Sequence, residues 1–366
     1  MIVITSHTTL IKGKIYEAPA STLIKNLCFL KKDFLFIRHY MNGEEQSEYF
    51  LYRKWKNIKN KKIFVLSSFS IFRYITEIIF TFLFLFKYKN ITYIWIDPLN
   101  SLTWVLLKKF WKTNINIFYT PDYSPQRFQN NILNKIYHWI DRTCINNADK
   151  IWNVSSRIQN IRVGMWVKDK SIFIPNVPGI INKDILNITK DKFTLVTLWI
   201  IDKQLDHINI FKAIQKLKSE FPSIKYKIIW NWPKEEEYKQ MAKDMGIEKN
   251  ILFLWFLQHE EALKEIASSW IWLALYNWKW WFNKYGDSMK CREFFALWLP
   301  VLTTDTHSTV DDIKNFNNWI VVDINSEEYI IAIKNILKDF DSYSQNSYNL
   351  WEKYSDFYSH EISTLW

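Results

Sequence analysis

Six glycines in 366 residues leave this chain almost nothing with which to make tight turns, while tryptophan occurs 20 times. An ordinary chain of this length carries roughly 26 glycines, and the glycines and tryptophans here together make 26. The tryptophans also stand where turns are expected. Trp230 and Trp232 flank Asn231 in I-I-W-N-W-P, between a strand pattern and a helix pattern, and Trp298 lies in F-F-A-L-W-L-P-V-L, between a helix and a strand. Glycine supplies positive φ and close backbone approach without steric cost; a bulky side chain there is strained. We read most of these tryptophans as glycines in the living cell, written as Trp from UGA codons that the organism decodes as glycine. The alternative is a binding protein with true exposed tryptophans, stacking on carbohydrate or nucleic acid. The choice matters because phosphate-cradling loops are built from glycine.

The C-terminal half shows short apolar runs alternating with amphipathic helical patterns. Strands are predicted at 194–198, 224–229, 251–254, 271–276 and 300–303, and helices at 206–220, 234–245, 259–268 and 288–297, with two more alternations to Phe340. Such alternation means a parallel sheet covered on both faces. The N-terminal half repeats the theme less regularly, with strands predicted at 2–5, 34–38, 63–66, 91–96, 115–119 and 150–153, and a helix at 132–146. The fold class is α/β, with two doubly wound, Rossmann-like domains facing a cleft. We place the first domain at 1–175, a linker at 176–192, the second domain at 193–340 and a helical tail at 341–366. Ligands of such sheets sit beyond the carboxyl ends of the strands, at helix N-termini.

Composition restricts the setting. The net charge of +11 suits polyanionic partners, but the Lys and Arg residues are spread along the chain. Cys28, Cys144 and Cys291 are isolated, which argues against a disulfide framework or a zinc cluster and for a reducing compartment. Met1–Thr5 reads as an opening strand rather than a secretory signal. The apolar run 78–86 is too short to span a bilayer and reads as a packed helix with room for a shallow membrane contact. The expectation is a cytoplasmic protein, with peripheral contact to anionic membrane through the basic N-terminal half and the 56–62 stretch.

Four motifs in order resemble the group 1 family of retaining GT-B glycosyltransferases across about 194–336. The strongest is Y-G-D-S-M-K-C-R-E-F-F-A-L-W-L-P-V-L-T-T-D (285–305), against S-x-K-x-x-E-Y-x-A-x-G-x-P-V-V, with Trp298 on the glycine. I-I-W-N-W-P puts Trp230 and Trp232 on two family glycines, N-I-L-F-L-W-F-L-Q-H-E-E puts Trp255 on another, and Trp199 closes the first strand of this half where the family again has glycine. The N-terminal half is similar to a subgroup of the same enzymes through Y-T-P-D-Y-S-P-Q-R-F (119–128) and I-W-I-D-P-L-N (94–100), where Trp95 stands for glycine. Trp152 in W-N-V-S reads as a true tryptophan.

The resemblance implies roles. Glu293 would accept the ribose hydroxyls of a nucleotide-sugar donor, as a carboxylate can from two vicinal hydroxyls; the alternative is a solvated helix glutamate. The family's earlier glutamate falls on Tyr285, so the sugar contact passes to the backbone near Gly286, Asp287 and Ser288. Ser288 would cap the helix, and Lys290, with Arg292 beside it, would stabilise the diphosphate leaving group. No clean match exists for the phosphate-gripping Arg and Lys after the first strand of this domain; Lys203 is the nearest cation. Asn231, between two tight turns, and Gly13, after the opening strand, would line the donor. In the N-terminal domain, Asp122 would contact acceptor or donor sugar, with Asp97 and Arg127 on the acceptor side; His7 could face the same region. No metal-ligand spacing is visible, and no cofactor or essential metal is expected.

The implied reaction transfers a sugar from a nucleotide-diphosphate donor to a glycan or lipid-linked acceptor, with retention and by front-face attack. No nucleic-acid partner is expected. The rivals are a GT-B nucleotide-sugar epimerase, which needs no acceptor, and the non-catalytic binding protein above.

Overall fold

The computed structural model describes the chain apart from residues 12–13, 17, 42–44, 67–70, 99–100, 179–182, 199–204, 230–233, 256, 278–283, 317–318 and 366. It folds as two units. One comprises Met1–Gly179, Tyr285–Asp287 and Asp356–Trp366; the other comprises Ile180–Lys284 and Ser288–Ser355.

The N-terminal unit holds β1 (Ile2–Ile11), β2 (Lys14–Tyr16), β3 (Phe34–Tyr40), β4 (Ser47–Arg53), β5 (Lys56–Ile63), β6 (Ile91–Ile96), β7 (Thr113–Thr120), β8 (Lys150–Asn153) and β9 (Ser171–Phe173). They form one sheet in the order β5-β4-β3-β1-β6-β7-β8-β9, with β2 folded back on β1. From β3 to β9 all neighbours are parallel, and β6 is buried along its whole length, as a strand covered on both faces must be. The chain leaves β1 toward β3 and later crosses to β6, so the order reverses between β1 and β6. In open α/β sheets that reversal marks the ligand crevice.

The predicted strand at 63–66 is corrected. The strand here is β5, which ends at Ile63 and pairs antiparallel with β4 through the turn Lys54-Trp55. Seven of its eight residues are exposed, so its Lys- and Asn-rich sequence carries no apolar signal. Lysines on an outermost strand also protect it from pairing with another chain.

The C-terminal unit holds β10 (Thr194–Leu198), β11 (Lys225–Ile229), β12 (Ile251–Leu254), β13 (Ile271–Ala274), β14 (Val301–Thr303) and β15 (Trp319–Val321). The order is β12-β11-β10-β13-β14-β15, parallel throughout, with its reversal between β10 and β13. Helix starts follow local chemistry: Asp206 caps the His207–Leu217 helix and Asn325 the Ser326–Lys338 helix through side-chain oxygens that accept from the first turn. Two apolar clusters fill the faces of this sheet, one around Phe211, Ile214 and Tyr329, the other around Ile266, Phe294 and Val310. In the terminal helix Phe340–Ser363, Leu350 joins the second of these clusters.

Candidate functional site

In the C-terminal unit the site begins with the helix Met289–Ala296. Ser288 is its N-cap: its Oγ accepts from Cys291 N at 3.3 Å, and its own amide donates to Thr309 Oγ1 at 2.9 Å. Lys290 and Glu293, three residues apart, share a helix face. Lys290 Nζ donates to the carbonyl of Leu198, the last residue of β10, at 3.0 Å. Burial pushes its ammonium down to about 7, with Glu293 pulling weakly the other way. Glu293 keeps a partly open carboxylate, with Oε1 3.5 Å from His259 Nε2. A carboxylate and a cation of adjustable charge therefore lie together at the carboxyl end of β10, the strand at the reversal point.

Arg292 does not join that pair. Its guanidinium is 2% exposed, bonded to Asp312 and packed over the Tyr354 ring at 4.8 Å. Asp312 in turn accepts from Tyr354 Oη at 2.8 Å. Asp287 Oδ2 accepts from Asn176 N at 2.7 Å and its carbonyl from Asn176 Nδ2 at 3.1 Å, within the N-terminal unit. Gly13, Lys203 and Asn231 lie outside the described residues, as do Trp199, Trp230 and Trp232. Gly286 is described and half-buried.

In the N-terminal unit a polar cluster occupies the reversal between β1 and β6. His7 on β1 has Nδ1 3.2 Å from Asp97 Oδ2 and Nε2 3.0 Å from Glu77 Oε2, and its backbone amide donates to Asp97 Oδ2 at 3.3 Å. Burial alone would lower the imidazole pKa, but Asp97 and Glu77 outweigh it and hold it up at about 10. Glu77 is itself buried; His7, His39 and Arg73 overcome that and keep its carboxyl below the usual range. Arg73 Nε donates to Glu77 Oε1 at 2.9 Å. His39, the β3 neighbour of His7, is pushed down to about 4 by burial and bonds Ser47 Oγ at 2.7 Å. The cluster is thus two cations, His7 and Arg73, facing two carboxylates.

Asp97 follows β6 at φ 73°, in the left-handed region. Arg127 Nη1 donates to Asp122 Oδ1 at 2.9 Å and lies within electrostatic reach of Asp97 and Tyr74. Asp97, Asp122 and Arg127, grouped together in the sequence analysis, fall in one neighbourhood with His7. Sequence reasoning missed Glu77, Tyr74, His259 and Thr309. Glu77 directly precedes the apolar run 78–86, and only its i, i+4 spacing from Arg73 hints at a pair. Among the described residues no group of three or more His, Cys, Asp or Glu is placed to hold a metal ion.

Residues 180–353 match the family described as glycosyl transferases group 1. That segment falls, apart from Tyr285–Asp287, in the C-terminal unit, which is similar to the group 1 glycosyl transferases. The whole chain has the GT-B fold. It superimposes on a lipopolysaccharide outer core galactosyltransferase, WaaB, at TM-score 0.69 and 12% identity, over 100% of this chain and 98% of that one. It matches the sucrose-phosphate synthase of Thermosynechococcus elongatus at TM-score 0.66 and 11% identity, over 100% and 98%. It matches HepE of Anabaena, in complex with UDP, at TM-score 0.65 and 10% identity, over 100% and 97%. No curated protein sequence matches the chain. Family and fold together support sugar transfer, and Lys290 and Glu293 lie within the matched group 1 segment.

Proposed function

We propose that the chain is a retaining glycosyltransferase that moves a sugar from a nucleotide-diphosphate donor to a hydroxyl of a glycan or lipid-linked acceptor. The observation that carries this reading is the Lys290–Glu293 pair on one face of a capped helix, at the end of β10 in the matched group 1 segment. Glu293 would take the ribose hydroxyls. Lys290, anchored to the Leu198 carbonyl, would meet the diphosphate as negative charge develops on it, the electrostatic work that dominates such transfers. An arriving diphosphate favours the charged ammonium, so donor binding takes up a proton at Lys290. The positive charge comes from this lysine and the helix N-terminus, with no essential metal. UDP bound to the structurally similar HepE supports a nucleotide-diphosphate donor. Asp97, held by His7, would orient an acceptor hydroxyl, with Asp122 and Arg127 alongside.

The recoding of tryptophan is part of the same proposal. Among the described residues, four of the nine non-glycine residues with positive φ are tryptophans: Trp55, Trp111, Trp166 and Trp298. Gly246 ends its helix at φ 63° with bonds from Gly246 N to Lys243 O and from Ile247 N to Ala242 O. Trp111 and Trp298 end theirs with the same pair of bonds, Lys112 N to Leu107 O and Leu299 N to Phe294 O replacing the longer one. This is the helix stop that favours glycine. Trp55 is the second residue of a two-residue hairpin turn with φ positive at both positions, where glycine is again preferred. Trp152 differs: it is fully buried and its Nε1 donates to Glu361 at 3.1 Å, as a true tryptophan should.

The test is a thermal-shift screen against nucleotide-sugars, followed by transfer assays with and without acceptor, on chains carrying glycine or tryptophan at the suspect positions. Stabilisation by a nucleoside diphosphate sugar, with product formed only when acceptor is present, supports the proposal. An epimerised donor without acceptor replaces it with the epimerase. Peptide masses of the native protein showing indole at 230, 232 and 298 would end the recoding.

A further inference from the structure

The helix Ile71–Leu85 turns one face into the N-terminal unit, through Arg73, Glu77 and Leu85, and leaves the other in water. Phe72, Ile75, Ile79 and Leu83 on that outer face are between 45% and 64% exposed, and Phe86 continues the line. The spacing is that of a single helical stripe. An uncovered apolar stripe several turns long marks an interaction surface rather than scattered exposure.

Charge at its end says what covers it. From 78 to 112 the chain carries five lysines and one acidic residue, Asp97. Lys87, Lys89, Lys108 and Lys109 are exposed, and Lys112 Nζ stands 4.2 Å from the centroid of the Phe86 ring. Phe110, half-exposed, packs on Phe86 with ring centroids 5.6 Å apart, which joins the lysine-bearing segment to the end of the stripe. An apolar helix face ending in a lysine cluster fits an anionic bilayer: hydrocarbon beneath the stripe, phosphate at the lysines. The covering segment of a protein partner would need matching apolar and acidic surfaces.

We propose that this face of the N-terminal unit docks on anionic lipid headgroups, with the helix Ile71–Leu85 lying in the plane of the membrane surface. The inference is independent of which sugar or acceptor the chain uses. It gives the surface a place in the chemistry, because Tyr74 on the same helix lies 5.7 Å, ring to ring, from His7. A lipid-linked acceptor would therefore arrive beside the Asp97 cluster.

Co-sedimentation with vesicles of phosphatidylcholine alone, or mixed with phosphatidylglycerol, tests it on the full chain. The wild type should partition onto the mixed vesicles, and salt should weaken binding. Ile79→Ser with Leu83→Ser should reduce partition about tenfold or more. Lys87→Glu with Lys89→Glu should reduce it by about fivefold or more per lysine. Donor-induced thermal stabilisation should be unchanged in both variants, which separates failure of docking from failure of the transferase reading. Equal partition of wild type and both variants would overturn the proposal, as would absence of binding to the mixed vesicles. So would a dimer that Ile79→Ser/Leu83→Ser converts to monomer, since a second copy would then own the face.

Discussion

Nδ1 of His7 lies 3.2 Å from Oδ2 of Asp97, across the reversal point of the N-terminal sheet, while its Nε2 engages Glu77. A histidine whose folded pKa is held near 10 by these carboxylates stabilises the fold fully below its ordinary value of 6.5. That contribution is lost as pH rises toward 10. His7→Gln should therefore be most destabilising near pH 6, and the gap from wild type should narrow at alkaline pH in urea titrations. A gap that stays constant with pH would mean that the imidazole is neutral in the fold.

Lys290 should show its role in a pH profile. Burial lowers its pKa to about 7, so the free enzyme loses the ammonium as pH rises through that value. The kcat/KM for donor should decline on the alkaline side of about pH 7, since that ratio reports the free enzyme's groups. Lys290→Ala should lower kcat by roughly 10²–10³ and abolish that limb. A variant that keeps it would assign the titration elsewhere.

Glu293→Gln should act on donor affinity. Loss of one charge-assisted bond to a ribose hydroxyl costs about 1.5–3 kcal/mol, which appears as a higher KM for the nucleotide-sugar, with the fold intact. The neighbouring Arg292→Ala should do the opposite. It strips the buried Asp312 of its guanidinium partner, leaving the carboxylate without a countercharge from Arg292, which costs about 3–5 kcal/mol of stability. Urea unfolding and donor titration on both variants separate the binding residue from the brace.

Trp166→Gly offers the cleanest reading of the helix ends. Trp166 sits at φ 64° with 97% of its surface in water, so little packing is lost and about 1–2 kcal/mol of left-handed strain is relieved. The variant should unfold at higher urea concentration. Trp152→Gly should lose about 3–5 kcal/mol or more, as large buried aromatics do on truncation. If Trp166→Gly destabilises the chain comparably, the recoding proposal fails.

Removal of divalent ions should leave transfer intact if Lys290 and the helix N-terminus carry the diphosphate charge. EDTA followed by restoration of magnesium checks this; an activity that depends on the added ion would place a metal in the reaction.

The order of apolar runs and amphipathic helices was enough to specify the parallel part of both sheets, because side-chain periodicity is local and survives without any knowledge of partners. The S-M-K-C-R-E segment was likewise readable, since capping and the spacing of Lys290 and Glu293 are properties of one helix. What the sequence could not disclose was which charges meet across the fold. His7 finds Glu77 and Asp97 at separations of 70 and 90 residues, and nothing in either neighbourhood marks the pairing. Arg292, alike on paper to Lys290, turns inward because Asp312 and Tyr354 wait on that side. The β4–β5 hairpin escaped notice because an outermost strand exposes nearly all its side chains and so keeps no hydrophobic pattern. Local geometry is written in neighbouring residues, whereas the electrostatic identity of each site residue is set only when the sheet brings distant strands side by side.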